Sequence, residues 1–187
     1  MNAPFPQITE LTNRLEAMPI DLAQVDFFCT LVTELAQLIE ETVGLKQAEG
    51  FITSVGLRMG KVIGDKYAGQ AIDSVERLEA LAAVLIDLKR RIMGEFYVIE
   101  IADSHILLGN TRCPFGDAVE GRKSLCMMTT NVFGRIAADT GGYARVAVLE
   151  SIAAGSDKCR VLIDLSLESE PALEGTRPLH SGEFFAT

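Results

Sequence analysis

The apolar residues of this 187-residue chain change their spacing three times, and the order of those changes leaves few folds open. Up to Gly94 they recur every three or four residues, as in helices that bury one face. At Glu95 the period falls to two, with Phe96, Val98 and Glu100 on one side and Tyr97, Ile99 and Ile101 on the other. Helical spacing returns at Leu125, and a period of two comes back at Ala144. Helices, then hairpin, helix and hairpin, predict an α+β fold: N-terminal helices, then an antiparallel sheet whose two hairpins flank a helix.

The helical half divides at its turn formers. Pro4, Pro6 and Pro19 bracket a short amphipathic piece, residues 8–18. Asp21 is placed to cap a helix over 22–43, closed by Gly44. Its stripe of Val25, Phe28, Cys29, Val32, Leu35, Leu38 and Ile39 predicts one buried face, with Cys29 as plain core. The next helix spans 46–68, with Phe51, Ile52, Val55, Met59, Val62 and Ile63 as its stripe. Gly56, Gly60 and Gly64 lie four apart on another face, and each costs about 1 kcal/mol against alanine. A closely packed helix would offset that cost, and so would a ligand groove. Gly69 ends the helix, and Asp73 or Ser74 caps a third, to Ile92, with Leu78, Leu81, Ala82, Leu85 and Leu88 inward. Lys89, Arg90 and Arg91 close it, where cations suit the carboxyl-end dipole.

The first strand is apolar on both sides except at Glu100, so both faces are expected to be covered for most of its length, with the first face opening to solvent or meeting a cation at Glu100. Asp103 and Ser104 turn the chain into a partner strand, 105–108. The loop 109–123 is long for a connector, which favours a covering or functional role. Ser124 is placed to cap a helix to about residue 138, and strands follow over 144–152 and 158–165. Beyond Ser166 the chain is acidic and aperiodic. It reads as a loose arm over 168–187, in which Phe184 and Phe185 could dock.

Composition narrows the function. Apolar residues make up 48% of the chain, and 17 basic against 26 acidic residues give a net charge of −9. Without a basic cluster, direct binding to nucleic acid or to an anionic membrane is disfavoured. The first basic residue is Arg14, so the start is not a signal peptide. The longest apolar run, 80–86, is too short to span a bilayer. A soluble, cytoplasmic protein with reduced cysteines is the expectation.

Three of the four cysteines, Cys113, Cys126 and Cys159, stand beside element boundaries in the second half. Loop, helix start and strand can bring them together, while Cys29 stays apart. Three readings are open. As metal ligands they lack a fourth partner, for which zinc would take His105 or His180; an iron–sulfur cluster would need a non-cysteine ligand or an open iron. As a redox pair, Cys126 on a helical first turn would be the low-pKa, reactive member. As small apolar residues they would simply pack. Glu100 and Glu150 are isolated acids, better suited to pair with Arg145 or Arg160 than to catalyse.

Residues 50–165 carry a resemblance. Gly56 to Gly64, Cys113-Pro114-Phe115-Gly116, Leu125-Cys126, Glu150 and Gly155 to Cys159 are similar to the 4-vinyl reductase domain and its relative, the methanogen output domain. Cys113-Pro114, a second cysteine after a twelve-residue gap and the hairpin ending in Cys159 also resemble the C-terminal half of iron–sulfur-dependent repressors. Those repressors use four cysteines and an N-terminal winged helix; here no further cysteine lies between Cys126 and Cys159, and no winged-helix sequence is found. The resemblance implies a helical dimerisation segment over 1–45 and a ligand-binding domain over 46–167. It implies a sensory module that binds a small molecule, zinc or an iron–sulfur cluster and signals as a homodimer. Its site residues would be Gly56, Gly60, Gly64 and Phe115 for the ligand, and Cys113, Cys126 and Cys159 for the metal. The family name implies an alternative, a small thiol-dependent or reductase-like enzyme.

Overall fold

The computed structural model describes residues 6–20, 23–68, 77–167 and 177–186. Four helices come first: α1 (Pro6–Glu16), α2 (Gln24–Val43), α3 (Leu45–Tyr67) and α4 (Arg77–Arg91). Strands β1 (Phe96–Ile101) and β2 (His105–Asn110) follow, then α5 (Lys123–Gly141), β3 (Tyr143–Glu150), β4 (Cys159–Asp164) and β5 (His180–Phe185). The strands form one antiparallel sheet in the order β1-β2-β4-β3-β5. The α+β fold and its two hairpins are as the period changes require. The expected caps Asp21, Asp73 and Ser74, and the break at Gly69, lie outside the described residues.

The core sits between one face of the sheet and helices α4 and α5. Ile106 and Leu108 of β2, Val146 of β3 and Val161 and Ile163 of β4 meet Leu81, Leu85 and Leu88 of α4 and Phe133 and Ile136 of α5. Their alternation on the strands and three-to-four spacing on the helices place them on facing surfaces. On its other side α5 is covered by α3, at the glycine face. A Cβ on Gly56 would lie 2.6 Å from Asn131 Cβ, and one on Gly60 2.6 Å from Arg135 Cβ. The glycines therefore let two backbones of one chain approach, and α5 fills the groove that a ligand or a second chain would need. That leaves no room for a ligand at Gly56 and Gly60; Gly64, where a Cβ would meet only Ile136 Cγ1 at 3.7 Å, borders a separate pocket of about 250 Å³ between α3, α4 and α5.

Several local expectations also change. The tail is not a loose arm where it is described: β5 pairs along β3, and the Phe184 ring packs against Gly134, at a position where any Cβ would collide with it. β1 is an edge strand, and Val98 and Ile99 are 40% and 43% exposed instead of covered. Ser124 lies inside the first turn of α5, with a buried hydroxyl that has no partner, and Arg122 stands at the N-cap. The stripe of α2 is not buried within the chain: Phe28, Leu35 and Leu38 are exposed, and Thr33 and Ala36 are the residues buried. Glu150 pairs with Arg160 at 3.4 Å as expected, whereas Glu100 lies 3.7 Å from His105. No described helix is long and apolar enough to cross a membrane.

Candidate ligand-binding site

The loop after β2 folds back over the end of the sheet, and the side chain of Asn110 holds it there. Asn110 Oδ1 accepts the backbone N–H groups of Glu95 and Arg112, both at 3.2 Å. The Gly116 N–H then bonds the Cys113 carbonyl at 2.9 Å, in a turn that needs the positive φ of Gly116. Helix α2 grips the loop from outside at two points. Cys29 Sγ lies 3.8 Å from the Pro114 carbonyl, and Arg122 Nη2 donates to Gln37 Oε1 at 2.8 Å. Cys29 thus touches the outside of the loop rather than joining a core stripe.

Beneath the loop is a small cavity of about 30 Å³, lined by Cys113, Cys126 and Cys159 together with Phe96, Asn110 and Thr129. That is room for one or two water-sized groups. Phe115 lines it as well; the three glycines of α3 do not, and neither does His105 or His180. An open groove of about 930 Å³ lies alongside, bordered by Arg112, Asp117, Glu120 and Asp157. Cys113 is the one described residue that lines both spaces, and so it forms the wall between them.

Each thiol has its own neighbours. Cys126 Sγ and Ser151 Oγ are 2.9 Å apart. Cys159 Sγ receives the Ile152 N–H at 3.4 Å and the Asn110 amide at 3.8 Å. Burial pushes the Cys113 thiol up to about 11, against the smaller opposing effects of the Phe115 N–H and the Lys89 charge. Burial also raises Cys126, with the Ser151 hydroxyl opposing it. Helix position alone suggests a lowered value for Cys126; desolvation overrides it, because the first turn of α5 is covered by the loop. Sulfur is the right donor for zinc or an iron–sulfur cluster. However, no three His, Cys, Asp or Glu side chains among the described residues are placed to hold one ion. The three thiols line one cavity.

Sequence reasoning missed Lys89. It is 5% exposed, and its ammonium donates to Thr129 Oγ1 at 2.8 Å. It lies over the rings of Phe96 and Phe133, 5.2 and 5.0 Å from their centroids, and its charge is felt by all three cavity thiols. Desolvation brings it down to about 8. Its neighbours in the basic run behave as expected of a helix end: Arg90 and Arg91 pair with Asp87 at the surface. The signal was present in the spacing, because Leu81, Leu85 and Lys89 share one helical stripe.

The family model of methanogen output domain 1 matches residues 31–164. Among solved structures, the chain is similar to the phenol-responsive sensory domain of the transcription activator PoxR, crystallised with phenol. The TM-score is 0.53 at 15% identity, over 88% of this chain and 91% of that one. At that identity the likeness is one of fold. No curated protein matches the sequence.

Proposed function

We propose, for a chain that belongs to the methanogen output domain 1 family, a sensory role in which a small molecule occupies the cavity walled by Cys113, Cys126 and Cys159. The observation that carries this reading is the cavity itself, roofed by a loop and lined by three thiols, with the buried Lys89 ammonium behind its Phe96 and Thr129 wall. The phenol-responsive domain of like fold supports it by analogy. Its loop offers a route for the signal: α2 touches the roof at Pro114 and Arg122. The same helix exposes Phe28, Leu35 and Leu38, and α3 exposes Phe51, Val55 and Met59. Apolar surface on that scale calls for a cover, and in this reading a second copy of the chain supplies it. Ligand binding would move the loop, the loop would move α2, and α2 would shift the dimer. The four unpaired cysteines suit a reducing compartment, the cytoplasm. Thiol-dependent catalysis is less well supported, because a nucleophilic cysteine needs a low pKa and Cys113 and Cys126 are raised.

A thermal-shift screen of small compounds, from two or three heavy atoms up to single aromatic rings, tests the reading. The expected result is a saturable rise in Tm that disappears in Cys126→Phe, whose ring fills the cavity. A rise of the same size in the filled variant would place the ligand elsewhere and overturn the proposal.

A further inference from the structure

Helices α2 and α3 expose apolar stripes that carry charge of opposite sign. α2 holds the acids Asp26, Glu34, Glu40 and Glu41 and no base. α3 holds Lys46, Arg58, Lys61 and Lys66 against Glu49 and Asp65. Of these side chains only Lys61 and Asp65 form an ion pair among the described residues, and that pair lies within α3. On α2, Glu34 and Glu41 border one shallow groove of about 240 Å³ with Leu31, Leu35 and Leu38. On α3, Arg58 stands three residues after Val55 and four before Val62, and Lys66 four after Val62, which sets both beside the apolar stripe. The stripes do not cover each other within one chain, since Leu35 and Leu38 of α2 and Val55 and Val62 of α3 all stay exposed. α2 gives its other side to the fold, burying Thr33 and Ala36 and touching the roof loop from Cys29 and Gln37.

We propose that a second copy of the chain docks with its α3 on α2 of the first, about a two-fold axis that sets its α2 on α3 of the first in return. The inference rests on the reading that a second copy covers these helices, and it adds which helix meets which. An acidic apolar stripe calls for a basic apolar one, and the second copy presents it in the right length: α2 has 20 residues and α3 has 23. Each helix is then at least about 30 Å long, and two such faces about 10 Å wide approach the roughly 800 Å² per partner of a stable interface. In a two-fold interface each contact occurs twice, so Glu34 and Glu41 meet Arg58 and Lys66 at two places. Apolar packing supplies the affinity, and charge selects the pairing. The other arrangement, α2 on α2, sets acids against acids and leaves the bases of α3 without a counter-charge. In the cross-paired dimer, α3 of the second copy lies behind the helix that grips the roof loop at Pro114 and Arg122.

Analytical ultracentrifugation of the full chain tests the pairing, with exposed charges reversed one helix at a time. Glu34→Lys with Glu41→Lys should weaken the dimer by about tenfold or more, and so should Arg58→Glu with Lys66→Glu. A chain carrying all four reversals should return to within about threefold of the wild type, because a basic α2 then meets an acidic α3. Pair variants that dimerise as well as the wild type, or a fourfold variant no better than the pairs, would overturn the pairing and leave a second copy as the cover. A wild type that stays monomeric at micromolar concentration would overturn the cover as well. Cross-linking decides even if a variant folds poorly, since it needs only the wild-type sequence. Isotope-labelled and unlabelled chains are allowed to exchange, and a carbodiimide then joins carboxyl groups to neighbouring amines. The expected products link Glu34 or Glu41 of one isotope to a lysine of α3 of the other. Links confined to single chains, in a protein that is dimeric, would overturn the pairing.

Discussion

Lys89 is buried, and that has a consequence for stability. Burial takes its ammonium from 10.5 to about 8. Between those values the unfolded chain holds a proton that the folded chain has lost, so stability rises with pH, by up to about 1.4 kcal/mol per unit. Below pH 8 both states hold the proton and the cost of burial is present in full. Cys113 acts in the opposite sense. Its thiol is raised from 9.0 to about 11, so above pH 9 the unfolded chain loses a proton that the folded chain keeps, and stability falls. Cys126, raised by the same burial, adds to that fall. The window from pH 8 to 9 therefore reports mainly on the lysine. Urea unfolding should show the wild type gaining about 1 kcal/mol across it relative to Lys89→Met, and the variant more stable than wild type at pH 7. Parallel curves for the two proteins would mean that Lys89 is not desolvated. The residue is also a lesson in reading. A lysine four positions after Leu85 looks like part of a basic helix end when the run Lys89-Arg90-Arg91 is taken as a unit. Taken by helical face, it belongs with the leucines.

At the scale of elements, the glycines of α3 and the strand β5 make the sharpest claims. At an exposed helical position, replacing glycine by alanine should stabilise by about 1 kcal/mol. At Gly60 the new Cβ would meet Arg135 Cβ at 2.6 Å and the Val132 carbonyl at 3.1 Å. Gly60→Ala is therefore expected to destabilise by about 1–3 kcal/mol, as overpacking does, and Gly50→Ala, which meets nothing within 4 Å, should not. Chemical denaturation of the two variants separates an α3–α5 contact from an open groove. For β5, Phe184→Ala should cost about 3 kcal/mol, because the ring is 8% exposed and fills the space left by Gly134. An unchanged midpoint would return residues 180–185 to a loose arm. Strands β1 to β4 were legible because their apolar residues alternate or cluster between turns. β5 was not: His180, Ser181, Gly182 and Glu183 carry no apolar alternation, and the strand is held by pairing with β3 and by Phe184. The exposure of β1 was misread for a related reason. Two apolar faces look the same in sequence whether they are buried or at an edge.

For the whole molecule, the changes of period marked the helices and the hairpins but not which surfaces the chain covers by itself. The stripe on α2 promised a buried face, and the single chain leaves Phe28, Leu35 and Leu38 at 50%, 50% and 59% exposure. Periodicity reports that a face wants cover and is silent on whose atoms provide it. If a second copy does, light scattering should give the mass of two chains at micromolar concentration, and Leu35→Glu with Val55→Glu should give one. A monomeric wild type would remove the proposed route from loop to α2 to partner. The account as a whole turns on what the three thiols surround. Native mass spectrometry of anaerobically purified protein, read together with metal content, tests this most directly. The predicted result is a chain without bound metal that takes up one small molecule per cavity and loses it in Cys126→Phe. A zinc ion or iron–sulfur cluster on every chain, removed by Cys126→Ser and kept by Cys29→Ser, would contradict it.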